Sequence, residues 1–194
     1  MKIFFFIDEP ETFLHPMAQN KLLEAFENLS DRSQLFITTH SPYLLKKFKK
    51  DTHKLMIYGK DGGGNNILKD DNQTLNLFGE SSPTWGEVNY FAFGVLSVEF
   101  HNELYGFLQA RAIDEDQGNY REGEFDQWLV NKGFIADKSY TRLKMDGTTK
   151  THNSTLPTYI RNLIHHPENS HNPSYADEEL ESSIEGMINI LRIK

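Results

Sequence analysis

Ile3-Phe4-Phe5-Phe6-Ile7-Asp8-Glu9-Pro10-Glu11 sets five large apolar residues directly against three carboxylates. A continuous apolar run bounded by charge predicts a strand buried on both faces, as in a parallel sheet covered by helices. Such a strand delivers its last residues to the carboxyl edge of the sheet, where ligands of open α/β folds bind. Asp8 and Glu9 then stand side by side at that edge. Adjacent carboxylates repel unless a cation or a reaction needs both. The plain alternative is a buried strand running into a solvated acidic loop. Leu14-His15-Pro16 follows, however, and makes the pattern more specific than apolar-then-acidic.

Past the acidic turn, Pro16 suits the first turn of a helix, and Ala18, Leu22, Leu23, Ala25, Phe26 and Leu29 recur at helical spacing. Gln34-Leu35-Phe36-Ile37-Thr38-Thr39-His40 is a second β-prone run ending in polar residues. Strand, helix and strand make a βαβ unit with two carboxyl ends side by side, which puts His40 next to Asp8 and Glu9. Ser41 and Pro42 suit the start of a short helix whose end is made basic by Lys46, Lys47, Lys49 and Lys50. His53 to Tyr58 reads as a third strand, residues 61–66 as a hairpin turn and Ile67 to Lys69 as the returning strand. The triple glycine in that turn is no phosphate loop, since no Lys-Ser or Lys-Thr pair follows and no helix begins there.

Asp8-Glu9-Pro10-Glu11 has the residue pattern of a Walker B motif. The segment resembles P-loop ATPases of the ABC type and the AAA family, including the overcoming-lysogeny-defect kind. That resemblance implies ATP and Mg2+ as cofactors, Asp8 as the residue holding the metal directly or through water, and Glu9 as the catalytic base that polarises the attacking water. Thr38-Thr39-His40-Ser41-Pro42 looks like the switch-histidine segment, whose imidazole contacts the γ-phosphate. Asp8, Glu9 and His40 are therefore the nucleotide-binding set, with His15 a supporting candidate. A GKS or GKT loop and an LSGG-like signature normally precede Walker B in such proteins, and neither occurs in the sequence. The expectation is the C-terminal portion of an ATPase: truncated, cut by a misassigned start codon, or half of a split protein. A Walker A part in cis or in trans would complete it.

Asp70 to Gly86 is polar and turn-rich, and the domain boundary is drawn there, with 1–80 as the ATPase part and 81–194 as a helical domain. Glu87 to Ala110 predicts one long helix, apolar almost all round in its first half. Glu99, His101, Asn102 and Glu103 interrupt that surface, so Glu99 and His101 are supporting candidates beside the plain reading of a solvent-facing patch. Asp114 to Gly123 reads as an acidic loop and Glu124 to Asn131 as a short helix ended by Lys132-Gly133. The charge then changes sign, with Lys132, Lys138, Arg142, Lys144, Lys150 and Arg161 set against Asp137 and Asp146. Thr155 is placed to cap a helix with Leu156, Tyr159, Ile160, Leu163 and Ile164 on its apolar face, and Pro167 fits its end. A last amphipathic helix, Asp177 to Arg192, turns Leu180, Ile184, Met187, Ile188 and Leu191 inward.

Arg161-Asn162-Leu163-Ile164-His165-His166 combines an arginine, a polar residue and a histidine four residues further on. It resembles the motif of HEPN ribonucleases, all-helical domains that dimerise to bring two such segments together and cut RNA without metal. The chemistry suits the residues, an arginine for the scissile phosphate and a histidine near neutral pKa for the 2′-hydroxyl proton. The resemblance implies Arg161, Asn162 and His166 as the catalytic set. Asn162 shares a helix face with His166, and Arg161 shares one with His165, so both histidines remain candidates for proton transfer, His166 being favoured by spacing. The whole arrangement is similar to ATPase-HEPN phage-defence proteins, including anticodon nucleases that cut tRNA. It implies an α/β fold with a partial P-loop ATPase lobe followed by an all-α HEPN-like domain, a homodimer, and an RNase site gated by ATP with RNA, tRNA among it, as partner. A competing reading makes the helical half a non-catalytic dimerisation or regulatory module that acts through a separate effector. A Toprim nuclease is disfavoured, because no Glu followed by an Asp-x-Asp strand end appears after residues 53–58.

The bulk properties agree with this outline. A chain of 194 residues with 38% hydrophobic and 12% aromatic residues has enough apolar surface to build a core. The absence of cysteine removes disulfides, thiolate zinc sites and cysteine nucleophiles. No apolar run reaches the roughly 18 residues that span a bilayer, so the chain reads as cytoplasmic with no membrane partner. A net charge of -8 argues against a surface that binds nucleic acid everywhere, though not against one local basic site.

Overall fold

Ile3–Asp8 forms the first strand, β1, in a computed structural model that describes residues 3–69, 75–116, 121–144 and 146–193. The chain divides into two units, Met1–Val95 and Leu96–Lys194. In the first unit, helix α1 (Pro16–Ser30) connects β1 to β2 (Ser33–Thr38). The two strands are parallel and in register from Ile3 opposite Ser33 to Asp8 opposite Thr38, so their carboxyl ends lie abreast. A 3-10 helix covers Pro42–Lys47.

The hairpin forms between β3 (Ile57–Lys60) and β4 (Asn66–Lys69). Asp61 Oδ1 closes its turn by accepting from the amides of Gly63 at 2.9 Å and Asn65 at 2.8 Å. Gly64 supplies the left-handed residue, with φ 83°. The strand begins later than His53 because that residue is committed to a turn: its Nδ1 accepts from the Lys49 amide at 3.0 Å and its Nε2 lies 3.3 Å from Glu27 Oε1.

The expectation that β1 is buried on both faces does not hold. Phe4 is 59% and Phe6 79% exposed, and Phe6 stacks on Phe36 of β2 with ring centroids 4.9 Å apart. The cause is the size of the sheet. Among the described residues β1 pairs only with β2, and β2 alternates half-buried Leu35 and Ile37 with exposed Gln34 and Phe36. An apolar run is buried twice over only when strands and helices close both faces, and the face of Phe4, Phe6 and Phe36 is left open.

The single long helix over 87–110 is also corrected. Helix α2 (Trp85–Phe93) ends at Gly94, whose φ of 66° is left-handed and whose amide returns to Tyr90 O at 3.1 Å, and α3 (Val98–Asp116) starts afresh. Thr84 and Glu87 form a capping box at the start of α2. Glu87 is fully buried and accepts from the Leu77 amide, Ser82 Oγ and the Thr84 amide at 2.8, 3.0 and 2.7 Å. Residues 70–74 of the polar stretch read as a boundary lie outside the described residues, as do 117–120 of the acidic loop.

In the second unit, α3 places Phe100, Leu104, Leu108 and Ala112 at four-residue spacing into the core. They meet Ile184, Met187 and Ile188 of the C-terminal helix α6 (Asp177–Arg192), with Phe125 and Leu129 of α4 (Glu122–Asn131) and Ile160 of α5 (Leu156–His165) completing the buried set. This unit is not all-α. Strands β5 (Lys138–Leu143) and β6 (Thr149–Ser154) pair as an antiparallel hairpin inside it. The run looks polar and basic because only one face is covered: Tyr140 is buried against Tyr159, while Thr141 and Thr151 bond across the exposed side at 2.9 Å.

Candidate functional site

The carboxyl edge of β1 and β2 carries the first set of residues. Thr38 Oγ1 donates to Asp8 Oδ1, and the Glu9 amide donates to Thr38 O at 3.1 Å, so the end of one strand is tied to the end of the other. Glu9 turns the chain with φ 41°, a left-handed conformation that costs a non-glycine residue about 1 kcal/mol. That turn lifts its carboxylate toward the neighbouring strand end. His40 Nε2 lies 3.3 Å from Glu9 Oε1, and the imidazole is otherwise open to solvent.

Two residues of the following loop have clear local roles. His15 caps α1, its Nδ1 accepting from the Met17 amide at 3.3 Å, which sets this candidate to starting the helix. Glu11, which the sequence reading passed over, is buried and accepts from Thr39 Oγ1 and from the His40 amide at 3.1 Å. Its spacing from Asp8 in the acidic cluster was visible in the sequence, but its reach to Thr39 was not.

The donor set suits a hard cation. Asp8 and Glu9 offer carboxylate oxygens at one exposed edge, yet among the described residues no three His, Cys, Asp or Glu side chains converge as a metal cage. Mg2+ fits such a place, because it keeps several waters and takes one or two carboxylates plus phosphate oxygens.

Residues 1–46 match the family model described as an AAA domain of AbiEii-toxin-like type IV TA systems. The matched segment contains β1, α1, β2 and all but the last residue of the 3-10 helix, and with them Asp8, Glu9, Glu11 and His40. It relates this lobe to AAA-type P-loop ATPases. No curated protein matches the chain.

A second cluster sits on α5. Arg161 Nη1 donates to Glu122 Oε2 at 3.2 Å and to Asn162 Oδ1 at 3.0 Å, and its guanidinium lies over the Tyr105 ring at 5.9 Å. Buried Asn162 donates to the other Glu122 oxygen at 2.9 Å. Glu122 thus clasps both motif residues, a partner 39 residues from Arg161 that no local signal announces. Burial pushes the nearby Tyr105 hydroxyl up to about 12. At the exposed end of the helix, partial burial together with the Arg161 guanidinium draws His165 below the usual histidine range. His166 Nδ1 lies 3.3 Å from Glu168 Oε1. The Asn162 side chain therefore bonds to Arg161 and Glu122, while its carbonyl accepts from the His166 amide at 3.0 Å.

The remaining candidates part company. Glu99 is exposed on α3. His101 is fully buried, with Nε2 3.0 Å from Ser183 Oγ of α6 and Nδ1 without a partner, and burial draws its pKa down to about 4. It is neutral at physiological pH and joins α3 to α6.

Proposed function

We propose that the first unit supplies the magnesium- and water-handling half of an ATP hydrolysis site, completed by a polypeptide that brings a phosphate loop in cis or in trans. The observation that carries this reading is the 3.3 Å approach of His40 to Glu9 across two parallel strand ends, inside the segment related to AAA domains. Mg2+-ATP brings the phosphoanhydride bond and a Lewis acid that spreads its charge. Asp8 would hold that ion directly or through water. Glu9 takes the proton of the attacking water, and His40 donates to the transferred phosphate. The test is Glu9→Gln in the completed ATPase, which keeps the shape but removes the proton acceptor. ATP should remain bound while turnover falls about 10²- to 10⁴-fold, and normal turnover would take the role from Glu9.

For the second unit we propose an RNase gated by the ATPase in an anti-phage defence protein that acts as a homodimer, with Arg161 on the phosphate, His166 or His165 moving the proton and Asn162 orienting Arg161. Its support is α5 itself, which carries Arg161 and His165 one turn apart and ends at His166. The Glu122 clasp favours the competing reading, a structural or regulatory module, since it already occupies the guanidinium. Incubation with total tRNA separates the two. Loss of cutting in both Arg161→Ala and His166→Ala, with insensitivity to chelator after activation, supports the RNase, and cutting that survives both changes assigns it elsewhere.

A further inference from the structure

We propose that Glu11 is a positioning residue that holds His40 against Glu9, an inference that rests on the role given to His40 above. The imidazole of His40 is mostly exposed, so packing does little to fix it. Its backbone, in contrast, is gripped. Glu11 Oε1 accepts from both Thr39 Oγ1 and the His40 amide, and Thr39 Oγ1 in turn accepts from the Ser41 amide at 3.0 Å. Ser41 Oγ continues the chain of bonds to Gln19 Oε1 of α1, whose side-chain Nε2 donates to Leu14 O at 2.9 Å. One carboxylate therefore organises three consecutive residues, 39 to 41, around the histidine.

Stability alone does not account for this side chain. Glu11 is only 6% exposed and its second oxygen, Oε2, is buried without a partner. A buried carboxylate with an unsatisfied oxygen is a cost to folding, and the contacts it does make go to the histidine turn. A catalytic group on a loop needs such a hold, because a displacement of about 1 Å can lower a rate about 10²-fold. Glu11 touches neither water nor phosphate in this scheme and acts through His40.

The test is NMR on the 194-residue chain without nucleotide, so its outcome is separate from that of the Glu9→Gln turnover assay. Two signals are read: the His40 amide proton, shifted downfield by its carboxylate acceptor, and the NOE between the His40 ring and the Glu9 side chain. Glu11→Ala should move the amide proton upfield and remove the NOE, while Glu11→Gln, which keeps an acceptor oxygen, should retain both. Persistence of the NOE in Glu11→Ala, or its loss in Glu11→Gln, overturns the proposal. If Glu11→Ala fails to give a folded spectrum, Thr39→Val decides: a lost NOE in that variant supports the clasp and an intact one overturns it.

Discussion

Glu9 sits on a backbone conformation that suits glycine better than glutamate, with φ 41°. Glu9→Gly should therefore raise the stability of the chain by up to about 1 kcal/mol in urea unfolding, since relief of left-handed strain exceeds the extra backbone entropy of glycine. A destabilised Glu9→Gly chain would mean that the His40 contact outweighs the strain. His101 gives a second residue-scale expectation. Its folded value near 4 lies below the ordinary 6.5, so the unfolded chain binds more protons between those values and stability falls as pH drops through that window. The His101 share should be on the order of 3 kcal/mol, read as the amount by which the loss between pH 7 and 4 in wild type exceeds that in His101→Gln. Asp8, Glu9 and His40 were legible as neighbours because parallel pairing converts two sequence runs into two adjacent strand ends. Glu11 and Glu122 were not, because their partners lie 28 to 40 residues away and no periodicity encodes such a reach.

At the scale of elements, the βαβ unit and the C-terminal amphipathic helix followed from short β-prone runs and helical spacing, whereas the break at Gly94 and the β5–β6 hairpin did not. Gly94 lies inside an apolar stretch and resembles a tolerated helix glycine, and only its left-handed φ reveals a cap. The hairpin did carry a turn signal in Asp146-Gly147, with Asp146 Oδ1 accepting from the Thr148 amide at 2.9 Å and Gly147 at φ 79°. The polar strands around it hid the pattern, since one buried Tyr140 is too little alternation to count. Glu87 provides the element-scale prediction. Glu87→Ala removes three accepted hydrogen bonds and the capping box at once, and should cost about 3 kcal/mol in denaturant unfolding. An effect below about 1 kcal/mol would show that the 3-10 turn at Gly79–Ser81 and α2 hold together without it.

Across the whole molecule the two units differ in how far they close their own cores. The second buries Phe100, Leu104, Phe125, Ile160 and Ile184 completely, while the first leaves Phe4, Phe6 and Phe36 open on one face of its sheet. Amide hydrogen exchange should register the difference, with α3 and α6 the slowest and β1 far faster. Equal protection would contradict it. Among the described residues no helix is long and apolar enough to cross a membrane. The open aromatic face is where the completing polypeptide proposed above would have apolar surface to cover, and Asp8 and Glu9 lie at the end of the same two strands. The most direct measurement of that edge is NMR line broadening by Mn2+-ATP, the paramagnetic ion standing in for Mg2+, on the 194-residue chain at millimolar nucleotide. The account expects selective broadening of the amides of Asp8, Glu9, Thr39 and His40, lost in Asp8→Asn. Broadening elsewhere, or broadening at this edge that survives Asp8→Asn, would contradict it.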